Sequence, residues 1–91
     1  MNMRNLVWQS DAWAEYVELQ QTDKQLLKRI NKLIKDIMRN GYMCSAGKPE
    51  MLKGDLSGFA SVRIDKKNRL IFRASDMQVI IIACGSHYSD H

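Results

Sequence analysis

Five side chains between residues 50 and 88 have the chemistry needed to cleave an RNA strand. They are a carboxylate, two arginines, a histidine and a tyrosine: Glu50, Arg63, Arg69, His87 and Tyr88. Attack of a ribose 2′-hydroxyl on the adjacent phosphate needs a base, an acid for the leaving 5′-oxygen, and fixed positive charge for the transition state. It needs neither a metal ion nor a cofactor. Taken singly, these residues are equally typical of an exposed surface. Whether they can form a site depends on where the helices and strands place them.

The strand pattern after residue 49 places the arginines together. The segments GFASVRID and RLIFRASD both alternate, with Val62 and Leu70 on their apolar sides. Because cross-strand partners share a face, pairing Val62 with Leu70 places Arg63 opposite Arg69. Two opposed arginines repel each other. The pairing therefore predicts either an anion between them or two side chains extended into water.

The same pairing rule extends to the last strand, QVIIIACGSHY. A tight turn in the segment ASDMQ sets Phe72 opposite Ile80 and Leu70 opposite Ile82. Odd-numbered positions then share the face of the arginines, and they include His87 if the strand extends that far. The residues Lys48 and Glu50 are expected to reach the same face from the segment before these strands.

Two helices and a short strand precede this meander. RNLVW is strand-like, Ser10 is placed to cap a first helix with Trp13, Tyr16 and Val17 on one side, and TDKQ has the form of a capping box. The second helix has the clearest pattern, an apolar face at helical spacing formed by Leu26, Leu27, Ile30, Leu33, Ile34, Ile37 and Met38. Asn40-Gly41 ends this helix. The order predicts an α+β fold with both helices on one face of the sheet.

Length, charge and hydropathy narrow the function classes. Ninety-one residues predict a single domain over residues 1–91, with no span long enough to cross a membrane and no secretory signal, so we expect a cytoplasmic protein. Residues 1–23 carry a net charge of −3, and residues 24–91 carry +7. Such a basic excess favours a phosphate-rich partner, although it also suits a solvated face. Cys44 and Cys84 form no metal motif and are expected to be buried thiols.

Three segments together resemble a known family. They are LVWQSDAWAEYVELQQTDKQLLKRINKLIKDI, GKPEMLKGDLSGFASVRIDKKNRLIFRA and IIIACGSHY. These segments are similar to the YoeB/Txe group of the RelE/ParE toxin superfamily, over residues 6–88. The resemblance implies the RelE-like fold, in which β-α-α is followed by an antiparallel meander.

The resemblance also implies roles for individual residues. It makes Glu50 the general base, Arg69 the transition-state stabiliser, His87 the general acid and Tyr88 a positioning residue. It assigns phosphate binding to three further cations: Lys48, Lys53 and Arg63. No metal or cofactor is implied.

The implied biology is that of a type II toxin–antitoxin system. Such a toxin cuts mRNA in the ribosomal A site, is held inactive by a YefM/Phd-type antitoxin, and represses its own operon with that antitoxin. A homodimer is also possible. The chain departs from the family pattern at Ala60, Val62 and Gly85, and the tail Ser89-Asp90-His91 is additional. Two alternatives therefore stay open: a ParE-like toxin that binds gyrase, and a weakened toxin that acts only in the antitoxin complex.

Overall fold

The computed structural model describes residues 3–44 and 49–85, and within them two helices cover one face of a five-stranded sheet. The helices and strands are β1 (Asn5–Trp8), α1 (Ser10–Thr22), α2 (Lys24–Asn40), β2 (Glu50–Met51), β3 (Ala60–Arg63), β4 (Arg69–Ala74) and β5 (Gln78–Ala83). The strand order is β1-β5-β4-β3-β2, with β1 parallel to β5 and the other neighbours antiparallel. The predicted α+β architecture is confirmed.

The second helix buries the face that its sequence predicts. Leu26, Ile30, Leu33, Ile34 and Ile37 are all buried in the core. Burial of each such side chain contributes roughly 1.5–3 kcal/mol. The lysines of α2 lie on its exposed side. Within the described ranges, neither this helix nor α1 is long and apolar enough to cross a membrane.

The end of α2 is fixed by a glycine and a distant arginine. Gly41 has a φ of 59°, in the left-handed region that favours glycine. Arg4 Nη1 donates to the carbonyls of Met38, at 3.2 Å, and Arg39, at 3.1 Å. Carbonyls at the end of a helix lack partners within it, and the Met38 carbonyl also accepts the Arg4 backbone N–H at 3.4 Å. A Cβ on Gly41 would lie 3.0 Å from the Arg4 guanidinium, so the glycine also makes room for this contact.

Both predicted helix caps are wrong by one residue. For α1 the cap is Gln9 instead of Ser10, and its side-chain oxygen accepts from the Asp11 N–H at 3.2 Å. For α2 the cap is Asp23, which accepts a backbone N–H of the first turn at 3.0 Å. Thr22 is still the last residue of α1, and its hydroxyl donates back into that helix. Asp23 is therefore the single residue left between the helices.

The buried side of α1 also differs from the prediction. Ala12 is fully buried, and Tyr16 and Leu19 pack partly against the core. Trp13 is 49% exposed and Val17 is 43% exposed. The Trp13 ring instead packs on the surface against a second tryptophan and Tyr16, with centroid separations of 5.7 and 5.8 Å. Mutual contact between aromatic rings thus replaces burial under the helix.

The predicted pairing of β4 with β5, which set Phe72 opposite Ile80 and Leu70 opposite Ile82, is wrong. Phe72 pairs with Ile81. The connecting turn is one residue shorter than expected, because the backbone N–H of residue 75 bonds the carbonyl of residue 78. Alternation could not reveal this shift, since residues 79–82 are all apolar. Before the bulge, odd-numbered residues of β5 therefore face the core.

A β-bulge then reverses the faces of β5. Ile71 pairs with Ala83, which leaves Ile82 as an extra residue between two successive pairs. Beyond the bulge, the Arg69 N–H donates to the Gly85 carbonyl at 3.4 Å. Ala83 and Gly85 thus share the face of Ile71 and Arg69. The expectation for His87 concerns a residue outside the described ranges and stays a prediction.

Candidate active site

The sheet face that the helices leave uncovered carries the polar residues that were predicted to do chemistry. Glu50 on β2 pairs with Ser61 on β3, and Ser61 pairs with Ile71 on β4. In the same ladder Arg63 pairs with Arg69, as the alternation predicted. Because cross-strand partners share a face, three adjacent strands present a carboxylate, a hydroxyl and two guanidinium groups together.

Arg69 is held in place by two neighbours. Its Nε donates to Ser61 Oγ at 2.5 Å, and its Nη2 lies 3.4 Å from Glu50 Oε1. Ser61 is buried, with 2% of its surface exposed, whereas the Glu50 side chain is 73% exposed. Such an exposed ion pair contributes about 0–1 kcal/mol at most. The arrangement therefore orients a guanidinium more than it stabilises the fold, and it leaves the carboxylate accessible to a ligand.

The two opposed arginines avoid each other by taking different surroundings. Arg69 turns toward Glu50 and Ser61, and its side chain is 34% exposed. Arg63 is exposed and lines a cleft with three further cations. Neither sequence-based alternative holds in full, because Arg63 extends into water while Arg69 is balanced by Glu50 on β2.

The structure places four of the seven predicted site residues. Glu50, Arg63 and Arg69 lie together, and Lys53 is exposed just before a 3₁₀ turn over Gly54–Leu56. The other three, Lys48, His87 and Tyr88, lie outside the described residues. Across the part of the chain that the structure describes, no group of three or more His, Cys, Asp or Glu side chains could hold a metal ion.

The departures from the family pattern have structural explanations within the described residues. Ala60 and Val62 are fully buried in the core, on the face opposite to Arg63. Side chains at these two positions therefore lie on the opposite side of the sheet from the candidate site. A Cβ on Gly85 would lie 2.9 Å from Glu15 Oε2. Glycine at this position makes room for the Glu15 carboxylate.

Sequence reasoning missed the supporting residues of the site. Ser61 alternates with Val62 and so shares the face of Arg63, but its bond to Arg69 depends on the register of two strands. Arg73 was also on this face, and its guanidinium carbon lies 5.9 Å from the centre of the Phe59 ring, in a cation–π contact. Their shared alternation with Arg63 was the only available signal.

Comparison with known proteins gives consistent matches over nearly the whole chain. The model of the family described as YoeB-like toxin of bacterial type II toxin-antitoxin system matches residues 8–88. Toxin YoeB of Escherichia coli (strain K12) is 45% identical over 83 residues, which cover 91% of this chain and 98% of that protein. Toxin YoeB of Synechocystis sp. is 48% identical over 77 residues, covering 85% and 88% of the two chains.

Solved structures match equally well. The YoeB dimer from Staphylococcus aureus superposes with a TM-score of 0.86 at 39% identity, covering 96% of this chain and 100% of that one. The toxin in a YoeB–YefM complex from the same organism gives a TM-score of 0.86 at 38% identity with the same coverage. E. coli YafQ H87Q, at 15% identity and a TM-score of 0.79, shares the fold alone.

Proposed function

The chain belongs to the YoeB-like toxin family of bacterial type II toxin–antitoxin systems, and from this premise we propose that it is an endoribonuclease that cuts mRNA in the ribosomal A site and so inhibits translation. The observation that supports the proposal is the contact between Glu50 and Arg69, in which an accessible carboxylate lies beside a fixed guanidinium. A base next to a positive charge is what attack of a 2′-hydroxyl on its own phosphate requires.

In the proposed reaction Glu50 takes the proton of the 2′-hydroxyl. The bond from the 2′-oxygen to phosphorus forms while the bond from phosphorus to the 5′-oxygen breaks, which leaves a 2′,3′-cyclic phosphate and a 5′-hydroxyl. Arg69 donates to the phosphate oxygens as negative charge grows on them. The 3.4 Å separation of Glu50 Oε1 and Arg69 Nη2 allows one group to take the proton while the other binds the phosphate oxygens. The attacking oxygen and the phosphate oxygens are neighbours in the substrate, so they need neighbouring partners in the protein.

Ser61 supports this step from beneath the site. Its buried hydroxyl occupies Arg69 Nε and so leaves the outer nitrogens of the guanidinium for Glu50 and a ligand. A guanidinium that is oriented in advance does not have to be reorganised when charge develops on the phosphate. Ser61 is thus a positioning residue.

The remaining roles are proposed from the family resemblance. His87 protonates the leaving 5′-oxygen, and Tyr88 positions the substrate. Lys48, Lys53 and Arg63 bind phosphates of the strand. For Lys53 and Arg63 the exposure of the side chains is consistent with this role.

We also propose that a YefM/Phd-type antitoxin binds and inhibits the protein, and that the complex represses its operon. The support comes from relatives: a toxin 38% identical to this chain was solved as a YoeB–YefM complex, and one 39% identical was solved as a dimer. A homodimer of this chain is therefore part of the proposal. We place the protein in the cytoplasm, where ribosomes and mRNA are found.

The decisive experiment is cleavage of mRNA on ribosomes programmed with a defined message. The purified protein should cut the message in the A site, and Glu50→Gln should lower the rate by about 10²–10⁴-fold. Glu18→Gln is the matched control, since it removes an exposed carboxylate from α1. Cleavage by Glu50→Gln at the wild-type rate would show that the base is a different residue.

Gyrase supercoiling measured in parallel tests the ParE-like alternative. The proposed function predicts that supercoiling is unaffected at concentrations that cut mRNA. Gyrase inhibition with intact message would overturn the proposal, and expression of the folded protein without growth arrest would favour the weakened toxin.

A further inference from the structure

We propose that a basic cleft beside the candidate active site, lined by Arg29, Arg63, Lys66 and Lys67, binds a backbone phosphate of RNA other than the one that is cut. The inference rests on the proposed function in taking RNA as the partner. Of the four cations, Arg63 alone was expected to bind phosphate. The other three form a site with it only because α2 and the β3–β4 turn come together.

The cleft collects positive charge from separate parts of the chain. Arg29 projects from α2, Arg63 is the last residue of β3, and Lys66 and Lys67 lie in the turn that follows. The cleft is open, with a volume of about 520 Å³. All four side chains are exposed. Converging arginine and lysine side chains are typical of phosphate recognition, because guanidinium groups bind phosphate oxygens in pairs and ammonium groups act as point charges.

The one carboxylate in the cleft, Asp65, is already used to build the turn. Its Oδ1 accepts the backbone N–H groups of Lys67, at 2.9 Å, and Asn68, at 2.8 Å. The Asn68 amide also donates to both of its oxygens, at 3.0 and 3.2 Å. Partial burial raises the pKa of Asp65, but these hydrogen bonds and the charge of Arg29 outweigh it and hold that pKa below its ordinary value.

An ionised Asp65 therefore shapes the cleft without cancelling its charge. Four cations face one anion, which leaves a formal excess of three positive charges. The turn is further closed by the N–H groups of Ile64 and Asp65, which donate to the Asn68 carbonyl at 2.9 and 3.3 Å. The backbone that carries Lys66 and Lys67 is thus held in place before any ligand binds.

Arg63 joins the cleft to the candidate active site. It lines the cleft and also lies directly opposite Arg69, which contacts Glu50. A strand whose reacting phosphate lies at Glu50 and Arg69 can therefore continue past Arg63 into the cleft. This continuity of positive charge along the β3–β4 hairpin favours a polyanion that extends across both sites, as RNA does, over a compact acidic segment of a protein.

The salt dependence of binding tests the cleft directly. The probe is a short single-stranded RNA with 2′-O-methyl groups, which cannot be cut. Its affinity should fall with salt, and each lost phosphate contact should reduce the slope of log K against log salt by about 0.7. Lys66→Gln/Lys67→Gln and Arg29→Gln should show this reduction. Lys35→Gln is the matched control, because it removes an exposed lysine of α2 that lies at a separate depression with Asp36 and Arg39.

Cleavage kinetics on programmed ribosomes provide the second measurement. The cleft variants should raise KM several-fold and leave kcat within about twofold, because the interaction lost is one of uniform binding. A fall in kcat with unchanged KM would contradict a separate binding subsite. Binding to ribosomes without message identifies the source of the phosphate. Weaker binding to empty ribosomes as well as to the oligonucleotide indicates that ribosomal RNA supplies the phosphate, whereas unchanged binding to empty ribosomes with weaker oligonucleotide binding indicates mRNA.

The outcomes also separate this inference from the proposed function. An unchanged salt slope for every RNA, together with weaker binding of the antitoxin, would overturn the inference and assign the cleft to the antitoxin. If the RNA slope depends on the cleft but no message is cut, the inference stands and the proposed function fails. If the message is cut normally and the slopes of the cleft variants equal the wild-type slope, the proposed function stands and the inference about the cleft fails.

Discussion

The Glu15 carboxylate on α1 accepts a hydrogen bond from the backbone N–H of Cys84, 3.1 Å away, where β5 ends. The Cys84 thiol also donates to the carbonyl of Ala12, at 3.5 Å. A Cβ on Gly85 would lie 2.9 Å from Glu15 Oε2, so a larger residue there would require the Glu15 carboxylate to shift. The first helix thus holds the backbone at Cys84, and His87 follows three residues later in the sequence.

The first prediction concerns Glu15 as a positioning residue for this segment. Glu15→Ala should lower kcat for mRNA cleavage about tenfold and leave KM nearly unchanged, since it alters how the segment that bears His87 is held. It should also lower the free energy of unfolding by about 1–3 kcal/mol, because the Cys84 N–H loses its acceptor. Glu15→Gln keeps an oxygen at this position and should restore most of kcat and most of the free energy of unfolding. A stability loss with unchanged kcat would show that the contact is structural only.

The second prediction concerns the Ser61 hydroxyl that orients Arg69. Ser61→Ala removes the acceptor of Arg69 Nε, and so the guanidinium should lose its fixed direction. We expect kcat to fall on the order of 10-fold with antitoxin binding intact, because preorganised charge is worth more than mobile charge. Single-turnover cleavage on programmed ribosomes measures this change. The exposed Ser57→Ala is the control, and equal rates for the two variants would refute a positioning role.

The sequence predicts elements wherever the period of the apolar residues is unambiguous. The helical spacing of α2 admits one buried face, and the structure has that face. The β3–β4 register was also predicted correctly, because Val62 and Leu70 alternate with arginines, and a slip by one residue would have buried charge. The predicted β4–β5 register was wrong, since residues 79–82 are apolar on both faces and alternation is absent. The bulge at Ile82 has no sequence signal that we can identify.

The candidate site was predictable to a similar degree. Arg63 and Arg69 were paired by alternation alone, and Glu50 was assigned through the family motif. The contacts that hold the site depend on tertiary distance instead. Ser61 reaches Arg69 only in the observed register, and Glu15 reaches Cys84 across 69 positions of the sequence. Local periodicity carries no information on such contacts.

The third prediction concerns Tyr42, which joins the loop before β3 to the end of β4. Its hydroxyl donates to the Gly58 carbonyl at 2.6 Å and accepts from the Ala74 N–H at 3.0 Å, and its ring lies 5.6 Å from that of Phe72. Tyr42→Phe keeps the ring packing and leaves both backbone groups without this partner. We expect a loss of about 1–3 kcal/mol in urea unfolding. A smaller loss would mean that water replaces the hydroxyl.

The fourth prediction follows from the two buried thiols. Burial, reinforced by the charge of Glu15, raises the pKa of Cys84 from 9.0 to about 12. Burial with the charge of Asp36 raises the pKa of Cys44 to about 11. The folded protein therefore keeps thiol protons that the unfolded chain loses above about pH 9. Because the unfolded state then binds fewer protons, the free energy of unfolding must fall as the pH rises from this value until the folded thiols ionise as well.

Urea unfolding at about pH 8 and about pH 10 measures this fall, to which each thiol contributes at most about 1.4 kcal/mol per pH unit. Cys84→Ala removes one titrating group, and so the difference between the two pH values should be smaller in the variant than in the wild type. The comparison uses this difference because the substitution also removes the bond to the Ala12 carbonyl at every pH. An equal difference in variant and wild type would mean that the Cys84 thiol ionises as readily in the folded protein as in the unfolded chain.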